Sequence, residues 1–170
     1  MRKFGNRQKS KYISEKEEEA KIEAEKKSCT SASNNISSRL KFNFSYFRPE
    51  TPGYDFSNLN ADDSQHIINK LKEYSRESLF YWQSLDNYAK YDEFPQHSFF
   101  DEPENTPTGV EWGRFRVGAK QRIVGFTIPQ IHHGKEIDVK GKKYYLDYNT
   151  FYIVFLDMDH KFYPTQRKGK

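Results

Sequence analysis

The last third of the chain carries residue types that could bind a phosphate and move a proton. Arg114 and Arg116 alternate with apolar residues, and Arg122 follows after a short turn. A guanidinium stays charged and binds two phosphate oxygens through its planar fork. His160 and Tyr163 lie near the end of the chain, and imidazole titrates near neutral pH without help from its surroundings. These residue types indicate a surface that could handle RNA.

The charge distribution agrees with a polyanionic ligand. The net charge is only +4, but residues 110–170 carry twelve Lys/Arg against six Asp/Glu, whereas residues 39–109 carry seven against twelve. A basic segment beside an acidic one steers polyanions to one face of a protein. The alternative is that the lysines only keep an aromatic-rich sheet soluble.

The composition limits the class of protein. Mean hydropathy is low, at −1.02, but aromatic residues make up 16% of the chain, which predicts a core built from rings. No apolar run is long enough to span a membrane, and the basic N-terminus is not followed by a secretory apolar stretch. The single Cys29 cannot form an intrachain disulfide. We therefore expect a cytoplasmic protein without a membrane partner.

No metal or cofactor is expected. His132 and His133 are adjacent, but no cysteine or carboxylate follows them at the spacing of metal ligands. No other stretch of the chain suggests a metal site.

The chain is predicted to have three parts. Residues 1–38 form a charged extension, helical or disordered from Ser14 and flexible after Lys27, because they have almost no apolar face to bury. Residues 39–164 form a single domain, and residues 165–170 form a basic tail.

Periodicity predicts the elements of the domain. Residues 40–46 alternate as a strand does, and residues 112–117, 121–128 and 150–156 follow strand patterns. A helix beginning after Asp62 carries Ile67, Ile68, Leu71 and Tyr74 on one face, and a second helix begins near Ser75. Residues 86–109 are predicted to be an irregular loop, and residues 130–147 an insertion with a small hairpin turning at residues 140–142. We expect an α+β fold, an antiparallel sheet of about four strands with a helical hairpin packed on one face.

Residues 112–124, Trp-Gly-Arg-Phe-Arg-Val-Gly-Ala-Lys-Gln-Arg-Ile-Val, resemble the central hairpin of the RelE/YoeB superfamily of bacterial ribonuclease toxins. Residues 151–163 are similar to the apolar strand and the His- and Tyr-bearing tail that end that family. The resemblance extends over residues 39–164, and its specific parts are about 110–126 and 150–163. The same ending also resembles that of uncharacterised bacterial proteins, a resemblance that implies no activity.

The toxin resemblance implies an endoribonuclease that cleaves mRNA, including mRNA on the ribosome, by attack of the 2′-hydroxyl and without a metal. It also implies a toxin–antitoxin or defence role, with a neutralising or scaffold protein partner. The implied catalytic residues are His160, Arg122, Arg116, Tyr163 and Glu102, where Glu102 precedes a proline as a glutamate does in the family. Four further residues are expected to bind RNA: Arg114, Lys120, Lys161 and Trp112.

Each role has a purely structural alternative. Arg116 and Arg122 could pair with Asp157 or Asp159, and His160 could be hydrogen-bonded to Asp157. Tyr163 and Trp112 could pack at the rim of the core. For the whole chain, the alternative is a non-catalytic RNA- or protein-binding subunit of a bacterial defence or mobile-element complex. An enzyme would need the histidine, the arginines and an acidic group in one cleft of about the size of a phosphate.

Overall fold

The computed structural model describes Lys16 and residues 36–164. The chain divides into two compact units, Met1–Ser38 and Arg39–Lys170. Lys16 is helical and Ile36–Ser38 form a 3₁₀ turn. The rest of the N-terminal extension and the tail after residue 164 lie outside the described residues.

The second unit has an α+β fold, as the sequence predicts. Its main sheet has five strands in the order β1-β7-β4-β3-β2. The strands of the unit are β1 Lys41–Asn43, β2 Tyr88–Tyr91, β3 Glu111–Arg116, β4 Arg122–Thr127, β5 Glu136–Val139, β6 Lys142–Tyr145 and β7 Thr150–Asp157. Strands β3, β4 and β7 are antiparallel neighbours, which confirms the expected pairing of the last third of the chain.

The expectation of a four-stranded, purely antiparallel sheet is wrong in two respects. Strand β1 runs parallel to β7, with Phe42 opposite Phe151. Alternation predicts a strand but not its direction, and a parallel pair needs a long connection, which the intervening chain provides. Strand β2 lies inside the segment expected to be a loop and pairs antiparallel with β3 at the edge of the sheet. Its four residues are too few for a clear period.

Two helices cover one face of the sheet. Helix α1, Ala61–Tyr74, begins at Asn60, whose side chain accepts a hydrogen bond from the Asp63 backbone N–H. Helix α2, Leu79–Gln83, is a short helix capped in the same way by Ser78. Ile67 and Tyr74 are buried, but Ile68 is 53% exposed and does not belong to the core-facing side of α1.

Each face of the sheet has its own aromatic core. On the helix face, Tyr74 and Trp82 pack around Phe115 and Phe151. On the other face, residues 92–110 and the segment after β7 supply rings such as Phe162. Successive side chains of a strand point to opposite faces, so the arginines of β3 and β4 lie on the face that the helices do not cover.

The insertion after β4 forms a separate two-stranded sheet. Strands β5 and β6 are antiparallel and turn at Lys140 and Gly141, which both have positive φ. A turn of this kind suits the twist of a hairpin. The structure confirms the hairpin expected at these residues.

Candidate functional site

The pairing of β3 with β4 brings three arginines together. Arg116 lies directly opposite Arg122, and Arg114 is two residues along β3, on the same face. Together with Asp86, Asn87 and Ala89 they line a cavity of about 210 Å³. Arg116 is exposed, Arg114 is half-buried and Arg122 is 7% exposed. The cavity therefore concentrates positive charge at the end of the sheet.

Among the described residues, these guanidinium groups have no carboxylate partner. Within residues 36–164, no ion pair closer than 4 Å joins Arg114, Arg116 or Arg122 to an acidic side chain. Burial and, after it, the neighbouring guanidinium groups lower the pKa of Arg122. Like charges held close together at a partly buried site destabilise the folded protein. An anion would relieve that repulsion.

Asp157 lies opposite Arg122 on β7 but is occupied by the backbone. Its carboxylate is 1% exposed and accepts hydrogen bonds from the N–H groups of Asp159, Lys161 and Phe162, at 3.2, 2.9 and 2.9 Å. The Asp159 carboxylate instead contacts Lys161 Nζ at 2.8 Å. The expected alternative, in which these aspartates neutralise the arginines by direct pairing, is not the observed arrangement.

Arg122 also stabilises the turn between β3 and β4. Its Nη1 donates to the carbonyl oxygens of Gly118 and Gln121, at 2.9 and 2.8 Å, and its Nη2 to that of Ala119 at 3.4 Å. Arg116 makes no such side-chain bond among the described residues. The two arginines therefore differ: Arg122 supports the fold as well as the site, and Arg116 is available to a ligand.

The ring of His160 lies beside the arginines and contacts one of them. Its Nε2 is 2.9 Å from Nη1 of Arg114. Arginine can only donate, so Nε2 accepts and the ring is neutral, with its proton on Nδ1. Burial, followed by the charges of Arg114 and Arg122, lowers the pKa of His160. The ring therefore has a lower affinity for a proton than an ordinary imidazole, and its Nε2 lone pair is occupied by Arg114.

The backbone of His160 is held in an unusual conformation. Its φ is +62°, in the left-handed region that non-glycine residues seldom adopt. The three N–H groups that bind Asp157 belong to this turn. Strained backbone of this kind persists where the surroundings fix it, often at functional sites. No hydrogen bond joins the His160 ring to the Asp157 carboxylate within residues 36–164.

Two tyrosines flank the site. The rings of Tyr91 and Tyr163 lie 5.1 Å apart at 31°, and Tyr163 is 48% exposed. Burial raises the pKa of Tyr91, and the charge of the nearby Arg114 opposes that rise. Tyr163, one of the predicted site residues, thus packs against Tyr91, and Tyr91 in turn lies near Arg114. Sequence reasoning misses Tyr91 and Asp86 because both lie in a segment whose composition predicts an irregular loop; the pattern Tyr-Ala-Lys-Tyr is the one local signal of a strand there.

Glu102 and Trp112 are not part of the arginine cavity. Trp112 is 1% exposed and packs against Phe94 and Phe126, so its ring is core and offers no face to a nucleotide base. Its Nε1 donates to Glu102 Oε1 at 3.1 Å. Glu102 lines a different cavity, of about 660 Å³, beneath residues 92–110. The acidic side chain that lines the arginine cavity is Asp86.

The two expected lysines differ in their availability. Lys120 is exposed in the turn between β3 and β4. Lys161 is paired with Asp159 at 2.8 Å, so its charge is partly engaged. Of the two, Lys120 extends the positive surface more directly.

The described residues include no cluster of three His, Cys, Asp or Glu side chains arranged to hold a metal ion. None of the helices in residues 36–164 has the length and apolar character needed to cross a membrane. No protein-family model matches this chain, and no curated protein or solved structure matches it.

Proposed function

We propose that residues 39–164 form an endoribonuclease domain that cleaves single-stranded RNA by attack of the 2′-hydroxyl, without needing a metal. The observation that carries this proposal is the cavity with three arginines, no carboxylate partner for them among the described residues, and a neutral histidine beside it. A phosphodiester is the anion that this set fits best, because planar guanidinium groups bind its oxygens in pairs. The resemblance to ribonuclease toxins in the hairpin and the C-terminal segment also supports it.

The reaction needs one bond made, one bond broken and two proton transfers. The 2′-oxygen attacks phosphorus and gives up its proton to the His160 ring, the bond from phosphorus to the 5′-oxygen breaks, and that oxygen takes a proton from solvent water. The products are a 2′,3′-cyclic phosphate and a 5′-hydroxyl. Arg114, Arg116 and Arg122 would stabilise the charge that develops on the phosphoryl oxygens, a contribution typical of preorganised donors.

His160 would act first as the base. Its neutral ring can take the 2′-proton once Nε2 is released from Arg114, and a bound phosphate gives Arg114 a better acceptor. The negative charge of the phosphate also raises the affinity of the ring for a proton. Asp86 is the acidic residue of the cavity lining and would assist this removal of the 2′-proton. It takes the role expected of Glu102, which lines a different cavity.

A non-catalytic RNA-binding role is the second candidate, and one observation favours it. Nε2 of His160 is already occupied by Arg114 at 2.9 Å, so the imidazole could serve only to position that guanidinium. In this case the same cavity would hold a phosphate and cleave nothing. RNA would bind with similar affinity but stay intact.

Expression in bacteria tests the catalytic proposal. The wild-type chain should arrest growth and fragment mRNA, whereas His160→Ala and Arg122→Ala should not. His97→Ala is the matched control, because His97 is an exposed histidine in residues 92–110. With purified protein and a single-stranded RNA, His160→Ala should lower the cleavage rate by about 10²–10⁴-fold, the usual contribution of acid–base catalysis.

The results separate the two candidates. A harmless wild type that binds RNA without cutting it supports the binding role, and full activity of both variants refutes the catalytic one. If the chain does arrest growth, a cell that makes it needs a protein that neutralises it. We expect that partner to bring acidic side chains to the arginine cavity.

A further inference from the structure

The β5–β6 hairpin is exposed on both of its faces. Every residue of Glu136–Val139 and Lys142–Tyr145 is exposed to solvent, so nothing within residues 36–164 buries these two strands. An isolated two-stranded hairpin is at best marginally stable in water and normally packs against another element. The hairpin is therefore a candidate docking surface.

One face of the hairpin is largely apolar. Ile137 lies opposite Tyr144 in the register, and Val139 lies opposite Lys142. Alternation along the strands places these four side chains on one face. Ile137, Val139 and Tyr144 are 40%, 48% and 51% exposed, and a contiguous exposed apolar patch typically marks a site of protein association. Aliphatic side chains neither bind phosphate nor stack on bases, so this face favours a protein partner over RNA.

The outward charge of the hairpin is positive. Its two acidic side chains are engaged within the hairpin itself. Glu136 Oε1 lies 2.9 Å from Lys143 Nζ, and Asp138 Oδ1 accepts a hydrogen bond from the turn backbone at 2.9 Å. Lys140 and Lys142 form no ion pair within residues 36–164. A complementary surface therefore has apolar walls and a surplus of carboxylates.

The chain itself carries such a surface. Residues 91–113 include six acidic residues and no lysine or arginine. The cavity of about 660 Å³ beneath residues 92–110, here called the acidic cavity, has walls that include Phe94 and Pro107 and four carboxylates, those of Asp92, Glu93, Glu102 and Glu104. Within residues 36–164 none of these carboxylates lies within 4 Å of a lysine or arginine nitrogen. Lysines from a partner would reduce their mutual repulsion.

The hairpin and the acidic cavity lie at the same end of the main sheet. Thr127, the last residue of β4, pairs with Glu111, the first residue of β3. The hairpin insertion begins after Thr127, and the acidic residues 92–110 lead directly into Glu111. A twofold axis near this end would let each of two copies present its hairpin to the acidic cavity of the other. Such a reciprocal contact closes the assembly at a dimer.

We propose that this chain forms a dimer in which the β5–β6 hairpin of each copy docks in the acidic cavity of the other. The face of Ile137, Val139 and Tyr144 packs against the apolar walls, and Lys140 and Lys142 pair with the carboxylates. A contact made by two short hairpins is small for a protein interface, so the dimer is in equilibrium with its monomer at micromolar concentrations. This association does not rest on the proposed cleavage of RNA.

Sedimentation velocity of the purified, nuclease-treated full chain tests this proposal at concentrations from about 1 to 300 µM. The wild type should pass from monomer to dimer over this range, and added salt should shift it toward monomer. Lys142→Glu and Glu104→Lys should each weaken dimerisation about tenfold or more, because each brings like charges together in the contact. Lys72→Glu is the matched control, since it makes the same change of charge at an exposed position on α1, and it should leave dimerisation unchanged.

An equimolar mixture of Lys142→Glu and Glu104→Lys separates direct docking from a loss of fold or a general effect of charge. In the mixed dimer one contact is native, and in the other the two reversed charges face each other. The mixture should therefore dimerise more tightly than either variant alone. A wild type that stays monomeric overturns the proposal, whether its hairpin closes on its own cavity or binds RNA instead. Equal dimerisation by Lys142→Glu and the wild type, or a mixture no tighter than its components, also overturns it.

Discussion

Replacing Asp157 by asparagine should disrupt the arrangement of the arginine site. The carboxylate accepts three backbone hydrogen bonds, and an asparagine side chain must turn its NH₂ group toward at least one of those N–H groups. In the least costly orientation the amide oxygen keeps the bonds from Asp159 and Lys161, and the N–H of Phe162 loses its acceptor. A hydrogen bond to a charged group contributes about 1.5–3 kcal/mol, and a buried donor left unpaired costs about 1–3 kcal/mol.

We therefore expect Asp157→Asn to lower the free energy of unfolding by about 2–3 kcal/mol in urea titrations. Asp159→Asn is the matched control two residues away. Its carboxylate is exposed and bonded to Lys161 and Tyr54, so the loss should stay below about 1 kcal/mol. Equal effects of the two substitutions, or a loss below about 0.5 kcal/mol for Asp157→Asn, would refute the view that Asp157 holds the turn of His160.

Three further predictions concern the site itself. Arg116→Ala should weaken RNA binding in filter-binding assays without lowering the stability of the fold. Arg122→Ala should lower both RNA binding and stability, because only Arg122 donates to the turn carbonyls. Equal stability losses in the two variants would contradict these separate roles. Burial and neighbouring guanidinium groups lower the pKa of His160, so the unfolded chain binds its proton more readily and stability should fall as the pH drops below about 6.5. An NMR titration should place that pKa below its ordinary value in the free protein and higher with an RNA analogue bound, and no difference would count against phosphate binding next to the ring. Trp112 is buried in the core and donates to Glu102, so Trp112→Phe should destabilise the fold. Glu102 lies outside the arginine cavity, so Glu102→Gln should leave RNA cleavage intact. A cleavage defect in Glu102→Gln at normal stability would restore Glu102 as a catalytic candidate.

The periodicity of the sequence predicts those parts of the fold that are determined by residues close together in the chain. Alternation in β3 places Arg114 and Arg116 on one face, and the Asn60–Asp63 region marks the start of α1. The direction of β1 and the existence of β2 depend on pairing with distant strands. No local pattern encodes that pairing.

The sequence predicts which arginines form the site, but it does not predict which acidic side chains lie next to them. That Arg122 is not paired with Asp157 depends on the turn after β7, whose N–H groups take both carboxylate oxygens. The separation of Glu102 from the arginines depends on the course of residues 92–110, which few local signals determine. The exposure of both faces of the β5–β6 hairpin emerges only from three-dimensional packing.

The salt dependence of RNA binding tests the central claim most directly. A single-stranded RNA with 2′-O-methyl groups cannot react and isolates the binding step. Arg116→Ala should weaken its binding and reduce the slope of log affinity against log salt by about 0.7 for each phosphate that the variant no longer neutralises. Arg76→Ala removes the same charge from an exposed position between α1 and α2 and should change neither quantity. Equal effects of the two substitutions would contradict a phosphate site in the arginine cavity.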